Sequence, residues 1–483
     1  MEAGEKKGTE RSAGRLRERF LVFAGALLFA WISGCGNGSG SMTVSGGPTA
    51  VTFCPNNSCT YNSSSQTNGF NTYGQLNTIV TLLVDGKDNV WIPYNTGGIS
   101  VLEIPAGSPG SAVTFCYSSS CNYSSPYYNG YSAYAYATDA KGNFWTLDQS
   151  NGSYFLEISS GNPANPVLYS CSGCPAIYGH TYMAIDTNGN IWLTVDGNIY
   201  KGTISSSTVT ISEPYTNTGS SPTSTGIAVD PTNNNVWISG IVSISCTGSC
   251  NSSSGFVAEF NGTNTVVYCS NNNTSACPSG SISYTQSGEL NLSSSYSSPY
   301  SSGSSGTAAT ASNIAVDSSG NVWVSQYGNN GLLEIPASSP NTPIFCDNGC
   351  GDGGSLGGGS PAGIAVDNKG RAWIASTFPN FESSNTTSTS VAPYTGGGIS
   401  AQTVSGGQIS AYASYCDFTV LKTNLAGCSQ FLAFMFPQVV AIDSKGNVWI
   451  ANNGFDNASA PNNNNNNNGT TYGWVTELIG AAK

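Results

Sequence analysis

Short runs of alternating hydrophobic and polar residues fill most of the chain, and turns rich in Gly, Asn, Asp and Ser separate them. The clearest example is Ile314–Ser325, which reads IAVDSSGNVWVS. Its two β-forming runs flank the turn Asp317–Asn321. Gly320 can adopt a positive φ there, and Asp and Asn side chains accept hydrogen bonds from nearby amides. The pattern predicts a tight antiparallel hairpin that carries one Trp.

This hairpin occurs seven times, and we number the repeats 1 to 7 in chain order. The Trp follows the Asp by six residues in every repeat except repeat 4, where the spacing of seven predicts a bulge or a longer turn. Seven of the nine Trp residues belong to the pattern, so their placement is not random. The pairs are Asp85/Trp91, Asp139/Trp145, Asp186/Trp192, Asp230/Trp237, Asp317/Trp323, Asp367/Trp373 and Asp443/Trp449.

Two further β-forming runs follow the hairpin in most repeats, for example 101–104 and 113–116 in repeat 1. Four antiparallel strands repeated seven times predict an all-β fold, a seven-bladed β-propeller over residues 48–483. The last repeat stops after its third strand, and a lone strand lies at 50–54. We expect that N-terminal strand to complete the last blade and close the ring, which removes exposed sheet edges.

The N-terminal residues have the pattern of an export signal. Residues 1–19 carry six Lys and Arg, and the apolar run 20–31 is too short to span a bilayer. The sequence Ile32-Ser33-Gly34-Cys35 then resembles a bacterial lipobox, although an ordinary signal with an incidental Cys is the alternative. We predict a signal peptide at 1–34, lipid attachment at Cys35 and a Gly/Ser-rich tether over 35–47.

The remaining cysteines are even in number and close together in pairs. Fourteen follow Cys35, and in an exported chain such local pairing indicates disulfides. Zinc ligation would need two pairs from different repeats to meet, and no βαβ pattern surrounds the redox-like spacing of 171 and 174. The predicted disulfides are Cys54–Cys59, Cys116–Cys121, Cys171–Cys174, Cys246–Cys250, Cys269–Cys277, Cys346–Cys350 and Cys416–Cys428.

The low content of charged residues and the acidic net charge limit the classes of partner that this chain is expected to bind. Charged residues make up only 8% of the chain. From Cys35 onward there are 8 Lys and Arg against 22 Asp and Glu, a net charge of −14. A chain that acidic should repel nucleic acid and anionic lipid head groups, so the N-terminal lipid is the expected contact with a membrane. We expect a monomer.

Antiparallel strands place the Asp turns on one face of the fold and the long insertions on the other. Insertions confined to one face commonly mark a binding surface. Tyr combined with Ser, Gly and Asn suits such a surface, although the Tyr side chains could instead only pack between loops. The single histidine could act as an acid or base beside Asp148 or Asp196, or serve as a structural hydrogen-bonding residue. The candidate binding residues are Tyr94, Asp148, His180, Tyr182, Asp196 and Tyr327.

The unit G-I-A-V-D-x-x-G-N-V-W supports a family resemblance. It is seen at 363–373, with Arg371-Ala372 for Asn-Val, and at 313–323, with Asn for the first Gly. It resembles the repeat of NHL-type propellers and of virginiamycin B lyases (streptogramin lyases). The resemblance implies a propeller over residues 80–479. In the lyases it also implies catalysis by His and acidic residues around Mg²⁺.

Two functions therefore compete. The first is a binding or scaffold protein of the bacterial cell envelope, at the outer membrane or cell surface, that holds a glycan, peptide or protein. The second is a lyase or hydrolase that opens a cyclic depsipeptide. His180 is the one histidine in the sequence. No second imidazole is present to share a metal ion or a proton with it, so we favour the binding function over the lyase. The sequence shows no nucleophile–His–acid set, P-loop or metal cluster, so we expect no cofactor and no metal.

The lipid anchor gives the first prediction. Replacing Cys35 with Ser should move the protein from the membrane fraction to the soluble fraction, because no thiol remains to carry the lipid. Fractionation of cells that express each form measures this. Equal membrane partition of Cys35→Ser and the unaltered chain would contradict the anchor.

Overall fold

A computed structural model describes most of the repeats. The described residues are 40–43, 49–53, 78–95, 99–106, 112–116, 123–124, 133–148, 153–160, 164–176, 181–216, 223–244, 252–270, 282–284, 313–326, 331–346, 361–376, 398–405, 408–416, 429–430, 437–455 and 471–483. Cys35, His180 and Tyr327 lie outside these ranges. So does at least one cysteine of each predicted disulfide other than Cys171–Cys174.

All regular elements in the described ranges are β-strands, which confirms the all-β prediction. The first twelve are β1 (Gly40–Thr43), β2 (Thr49–Phe53), β3 (Thr78–Ile79), β4 (Leu83–Val84), β5 (Val90–Asn95), β6 (Ile99–Ile104), β7 (Val113–Cys116), β8 (Tyr123–Ser124), β9 (Ala133–Thr138), β10 (Asn143–Asp148), β11 (Tyr154–Ser159) and β12 (Val167–Ser172). The next nine are β13 (Thr181–Ile185), β14 (Ile191–Val195), β15 (Asn198–Ser205), β16 (Thr208–Tyr215), β17 (Thr223–Val229), β18 (Val236–Ile244), β19 (Ser252–Phe260), β20 (Thr265–Ser270) and β21 (Ile282–Tyr284). The last twelve are β22 (Asn313–Val316), β23 (Val322–Gln326), β24 (Gly331–Ile335), β25 (Ile344–Cys346), β26 (Pro361–Val366), β27 (Ala372–Ser376), β28 (Gly398–Ser405), β29 (Gln408–Cys416), β30 (Ser429–Gln430), β31 (Pro437–Ile442), β32 (Val448–Phe455) and β33 (Thr471–Ile479).

These strands form six sheets of four to eight strands. Repeats 1, 4, 5, 6 and 7 each lie in a sheet of their own, in which the first to fourth strands pair antiparallel. Repeats 2 and 3 share the eight-stranded sheet, in which β12 pairs parallel with β16. The chain therefore does not form seven separate sheets in the described ranges, because the outer strand of repeat 2 takes the outer strand of repeat 3 as its neighbour.

In three other sheets, too, the fourth strand has a neighbouring strand along its outer edge. In repeats 1, 4 and 6 a short fifth strand pairs parallel with the fourth, as β8 with β7, β21 with β20 and β30 with β29. Each fifth strand follows the second cysteine of a predicted pair, and each fourth strand contains the first. A paired neighbour satisfies the amide and carbonyl groups that an edge strand would otherwise present to solvent. The Cys171–Cys174 disulfide closes the corresponding turn after β12.

The hydrophobic core lies between successive repeats. It divides into seven clusters, and each contains the Trp of one repeat together with second-strand residues of the next. Trp91 packs with Phe144, for example, and the last cluster joins Trp449 to Val90 and Ile92 of repeat 1. The first strands contact one another in the same order, β4, β9, β13, β17, β22, β26, β31 and back to β4. The packing therefore runs from repeat to repeat in a closed cycle.

The N-terminal strand β2 pairs with the third strand of repeat 7. Thr49 lies opposite Ile479 and Phe53 opposite Val475, so β2 is the fourth strand of that sheet, as predicted for 50–54. β1 then pairs antiparallel with β2 as a fifth strand. β1 lies inside the segment 35–47 that the sequence predicts as a tether, so part of that segment belongs to the sheet.

We predict that this closure contributes to stability. Val51→Pro should lower the melting temperature by an amount that corresponds to roughly 1–3 kcal/mol, because Val51 lies between Glu477 and Ser41 and Pro removes its N–H. Thermal unfolding measures the change, and Val51→Ala is the control because it keeps the N–H. Identical melting temperatures for the two variants would show that β2 does not complete the sheet.

Candidate functional site

The strand order defines two faces. The Asp turns of adjacent repeats contact one another. Ser444 donates its backbone N–H to Asp88 Oδ1 at 2.8 Å, and Thr187 Oγ1 donates to Asn234 Oδ1 at 2.7 Å. We call this side the turn face. The opposite ends of the strands, where the second strand leads to the third, form the loop face.

On the turn face the Asp carboxylate organises each hairpin. In repeat 1, Asp85 Oδ1 accepts the N–H of Lys87 at 2.8 Å and of Asn89 at 3.0 Å. Its Oδ2 accepts Asn89 Nδ2 at 2.9 Å and Trp91 Nε1 at 2.8 Å. The same four bonds recur at Asp139, Asp186 and Asp443. The predicted backbone capping is confirmed, and the indole bond explains the spacing of six residues.

Three repeats depart from this pattern. In repeat 6, Arg371 replaces the Asn and forms a buried ion pair with Asp367, whose Oδ2 also accepts Trp373 Nε1 at 2.9 Å. In repeats 4 and 5, Nε1 of Trp237 and of Trp323 has no hydrogen-bond partner in the described part of the chain. The turn of repeat 4 is one residue longer, as predicted, and Asn234 N–H closes it on Asp230 O at 2.9 Å.

The residue before the Asn or Arg of each turn has a left-handed backbone. Its φ is 84° at Gly320, and Asp88 and Asn234 take the same position in repeats 1 and 4 with φ of 65° and 61°. A non-Gly residue is strained there, although Asn and Asp tolerate it best. Asp88 and Asn234 also accept hydrogen bonds from the turn of a neighbouring repeat, Asp88 from Ser444 and Asn234 from Thr187. The strain is therefore offset by a contact between repeats.

A Glu on the third strand is a feature that the sequence analysis missed. Glu103 lies opposite Trp91, and the equivalent position is Glu in five repeats. Burial first, and then the charge of the Asp in the same turn, raise the pKa of Glu103, Glu334 and Glu477 to about 7. The recurring hydrophobic-Glu-hydrophobic pattern, as in Leu-Glu-Ile, could have identified it. Each of these Glu side chains lies near the Asp of its own turn and is packed within that hairpin. We therefore assign these Glu residues a structural role.

The structure separates the candidate binding residues. Tyr94 is 3% exposed in the core between repeats 7 and 1, and burial raises its pKa to about 12. Tyr182 is half-buried on β13, and burial raises its pKa. Asp196 is exposed in a two-residue turn with Gly197, where both φ values are positive, so turn geometry accounts for it. Asp148 is fully buried at the loop-face end of β10.

Asp148 is the carboxylate of a buried polar group. Its Oδ2 accepts the hydroxyl of Tyr154 at 2.9 Å. Tyr136 faces the same gap between repeats 1 and 2, where burial and then the Asp148 charge raise its pKa. Thr146, two residues earlier on β10, is also buried, and its Oγ1 has no partner within the described ranges. The group therefore brings a carboxylate, two phenols and a hydroxyl together at the loop-face end of this gap.

Further hydroxyls line the loop-face ends of repeats 3 to 5. Thr194 and Ser224 pair through their side chains at 2.6 Å, and Thr225 donates to Ser239 Oγ at 3.0 Å. Thr181, at the start of β13, is 3% exposed and its Oγ1 has no partner among the described residues. We call this set the loop-face belt: Asp148, Tyr154, Thr181, Thr194, Ser224, Thr225, Ser239, Asn313 and Ser325.

The two faces differ in their charged side chains. Every Lys and Arg in the described ranges lies in the turn-face half, either in an Asp turn, on the strand position opposite Trp192, or at Lys483. The charged residues in the described loop-face half are Asp148, Asp196 and Glu213, all acidic. Within the described ranges, no group of three or more His, Cys, Asp or Glu side chains is placed to hold a metal ion. No helix there is long and apolar enough to cross a membrane.

The buried Glu residues give a pH prediction. A pKa of about 7 in the folded state exceeds the unfolded value for Glu of about 4.3. Between these two pH values the folded state therefore binds more protons than the unfolded state. The contribution of these Glu residues to the free energy of unfolding should therefore be fully present below about pH 4.3 and be lost as the pH rises to about 7. Allowing for solvent screening, each site should contribute roughly 1–2 kcal/mol. Glu334→Gln should be more stable than the unaltered chain at pH 8.

Melting temperatures at pH 5 and pH 8 test this. The matched control is Glu213→Gln, because Glu213 is exposed on β16. The expected result is a smaller difference between the two pH values for Glu334→Gln than for either the control or the unaltered chain. An unchanged difference in Glu334→Gln would contradict the assignment.

No protein-family model and no curated protein sequence matches this chain. Solved structures with similar coordinates include a luciferin-regenerating enzyme, with 9% identity over 70% of this chain and 88% of that one, and a TM-score of 0.38. A calcium-binding protein, regucalcin from Agrobacterium tumefaciens, has 12% identity over 72% and 89%, with a TM-score of 0.36. YCF48 from Cyanidioschyzon merolae has 10% identity over 84% and 99%, with a TM-score of 0.41.

All three are β-propeller-type proteins. TM-scores below 0.5 are too low for these similarities to carry an argument about this chain. Its fold therefore rests on the strand pairing and the cyclic packing described above, and its function on its own residues.

Proposed function

We propose that this chain is an exported, lipid-anchored β-propeller of seven four-stranded blades whose loop face binds a glycan, peptide or protein. Seven blades are supported by the seven hydrophobic clusters, each of which joins consecutive repeats and the last of which returns to repeat 1. The β2–β33 pairing supports a ring closed by the N-terminal strand. Export, the signal peptide and the anchor at Cys35 are supported by the N-terminal sequence pattern, and the NHL-like repeat by the recurring Asp-to-Trp unit.

The loop-face belt is the observation that carries the binding proposal. On the turn face, the polar side chains are committed to hairpin capping and to bonds between repeats. On the loop face, hydroxyl, phenol and carboxylate groups recur in successive repeats, and the bonds they form, such as Thr194 with Ser224 and Tyr154 with Asp148, differ from one repeat to the next. The hydroxyl of Thr181 in the belt, and that of Thr146 two residues before Asp148 on β10, have no partner among the described residues. A buried polar group without a partner costs free energy, and a polar ligand can satisfy it.

The charge distribution narrows the ligand class. The cations of the described repeats lie in the turn-face half, and the described loop-face charges are acidic. An anionic ligand would be repelled there, whereas neutral sugars and uncharged peptide segments need the hydroxyl and amide groups that the belt provides. We therefore propose a neutral polar ligand, with a neutral glycan as the best match.

A glycan and peptide array probed with the mature chain tests this. Neutral glycans or uncharged peptides should bind, and sulfated or sialylated glycans should not. Calorimetry on the strongest binder should then show roughly tenfold weaker binding for Thr181→Val and Asp148→Asn, because each loses hydrogen bonding to the ligand. The matched control is Lys141→Ala on the turn face, which should bind as the unaltered chain does.

Two results would contradict the proposal. One is a bound ligand whose affinity falls only in Lys141→Ala, which would place binding on the turn face. The other is turnover of a cyclic depsipeptide that disappears in His180→Ala, which would make the chain an enzyme.

A further inference from the structure

The third residue of the Asp turn is held in the same way in every repeat. Its backbone N–H donates to Oδ1 of the Asp that begins the turn, at 2.8–3.0 Å in all seven repeats. The side chain at this position is exposed in each repeat and starts from an equivalent point of each hairpin. The seven residues are Lys87, Lys141, Asn188, Thr232, Ser319, Lys369 and Lys445.

Lysine takes this position in four repeats that follow one another around the cycle. Repeats 6, 7, 1 and 2 are consecutive because the turn of repeat 7 contacts that of repeat 1, where Ser444 donates to Asp88. Repeats 3, 4 and 5 have uncharged Asn, Thr and Ser there. Another exposed lysine follows Ala482, whose N–H donates to Gly446 O in the turn of repeat 7 at 3.0 Å. We call the five the lysine arc: Lys369, Lys445, Lys483, Lys87 and Lys141.

The ammonium groups of the lysine arc are mostly without an ion-pair partner. Lys445 Nζ lies 3.9 Å from Asp88 Oδ2, and its side chain is 58% exposed. The other four lysines form no ion pair with any described residue. The turn carboxylates beneath them are at least partly buried, and those such as Asp85 accept four hydrogen bonds within the hairpin. Within the described ranges, the fully exposed charges on this part of the turn face are therefore all cations.

We propose that the lysine arc contacts the anionic head groups of a membrane surface, so that the turn face lies against the bilayer. This proposal goes beyond ligand binding at the loop face. It rests on the proposed lipid anchor only in that the anchor brings the chain to a membrane. With the turn face against the bilayer, the loop face points away from it and is open to its ligand.

The number and placement of the lysines favour a membrane over a soluble anion. All five lie on one face, so a planar surface can approach them together, and each Lys near anionic lipid adds to the attraction. A soluble glycan with one or two acidic groups meets few of them, and a single exposed ion pair contributes little. A bilayer with anionic head groups is therefore the partner that engages the whole arc.

The acidic net charge of the chain does not prevent this contact. The described acids of the loop face lie beyond strands such as β10 and β14, whose five or six residues span about 17–20 Å. That distance is about twice the Debye length of roughly 8 Å at physiological ionic strength, so their repulsion is largely screened at the turn face. The short-range contacts of the lysine arc then decide which face approaches the lipid.

Sedimentation of the mature chain with vesicles tests the lysine arc. Cys35→Ser removes the lipid, so only contacts of the protein surface remain. Vesicles of phosphatidylglycerol mixed with phosphatidylcholine should bind this chain at low ionic strength, and vesicles of phosphatidylcholine alone should not. Binding should disappear when added salt shortens the Debye length to about 3 Å, because the contact is electrostatic and exposed to solvent.

Serine is the matched replacement for the turn lysines, because Ser319 holds the same position in repeat 5 with the same backbone bond. Each single Lys→Ser change in an Asp turn should weaken binding to the anionic vesicles by roughly two- to fivefold. Changing all four turn lysines should reduce binding to the level of phosphatidylcholine alone. Ser319→Lys extends the arc into repeat 5 and should strengthen binding by a similar factor. Melting temperatures verify that each variant is folded.

Glu213→Gln is the control for net charge, because it changes the total by the same one unit as Ser319→Lys but in the loop-face half of β16. Its binding should equal that of the unaltered chain. Equal gains from the two changes would show that total charge sets the binding, and would overturn the proposal. So would equal binding to both kinds of vesicle, or binding that survives the loss of all four turn lysines.

Two further comparisons separate this proposal from its alternatives. Capture of the chain by immobilised polyphosphate, without lysine-dependent binding to vesicles, would make a soluble polyanion the partner and overturn the lipid surface. The anchor is tested separately by fractionation of cells that express Cys35→Ser. Because the vesicle assay uses a chain without lipid, failure of the lysine arc leaves the anchor and the loop-face ligand unaffected.

Discussion

The indole of the repeated Trp connects the local structure of each hairpin to the packing of the whole domain. In five repeats its Nε1 donates to the Asp that begins the turn, at 2.8–3.2 Å. Its ring then packs against the second strand of the next repeat, as Trp91 stacks on Phe144. One side chain is thus held by its own turn and buried by its neighbour. Every repeat depends on the next, and repeat 7 depends on repeat 1.

This dependence divides the two faces by role. On the turn face, carboxylates, amides and the residues with a left-handed backbone cap the hairpins. They also form bonds between repeats, such as those from Ser444 to Asp88. The loop-face strand ends take no part in capping the Asp turns, and they carry hydroxyls and Asp148 while the repeats stay packed. Binding residues on a rigid scaffold are held in place by elements that do not change with the ligand. The proposed function follows from this separation of roles between the two faces.

Much of the fold could be predicted from the sequence because its signals are local and repeated. The Asp-to-Asn turn, the spacing to Trp and the lone N-terminal strand all follow from turn chemistry and alternation. The parallel pairing of β12 with β16 could not, because it joins residues 170–172 to 208–210 without a local motif. Nor could the burial of Tyr94, since a Tyr at a strand end is compatible with either face. Asp148 was identified as an acid, but its burial beside Tyr154 depends on packing between repeats 1 and 2.

The central claim is that the seven repeats form one closed cycle, and differential scanning calorimetry of the mature domain tests it directly. A closed cycle predicts a single transition in which the calorimetric enthalpy equals the van't Hoff enthalpy, because no repeat can leave without exposing two interfaces. An open array of repeats would lose cooperativity as terminal repeats unfold first. Several transitions, or a calorimetric enthalpy well above the van't Hoff value, would contradict the account.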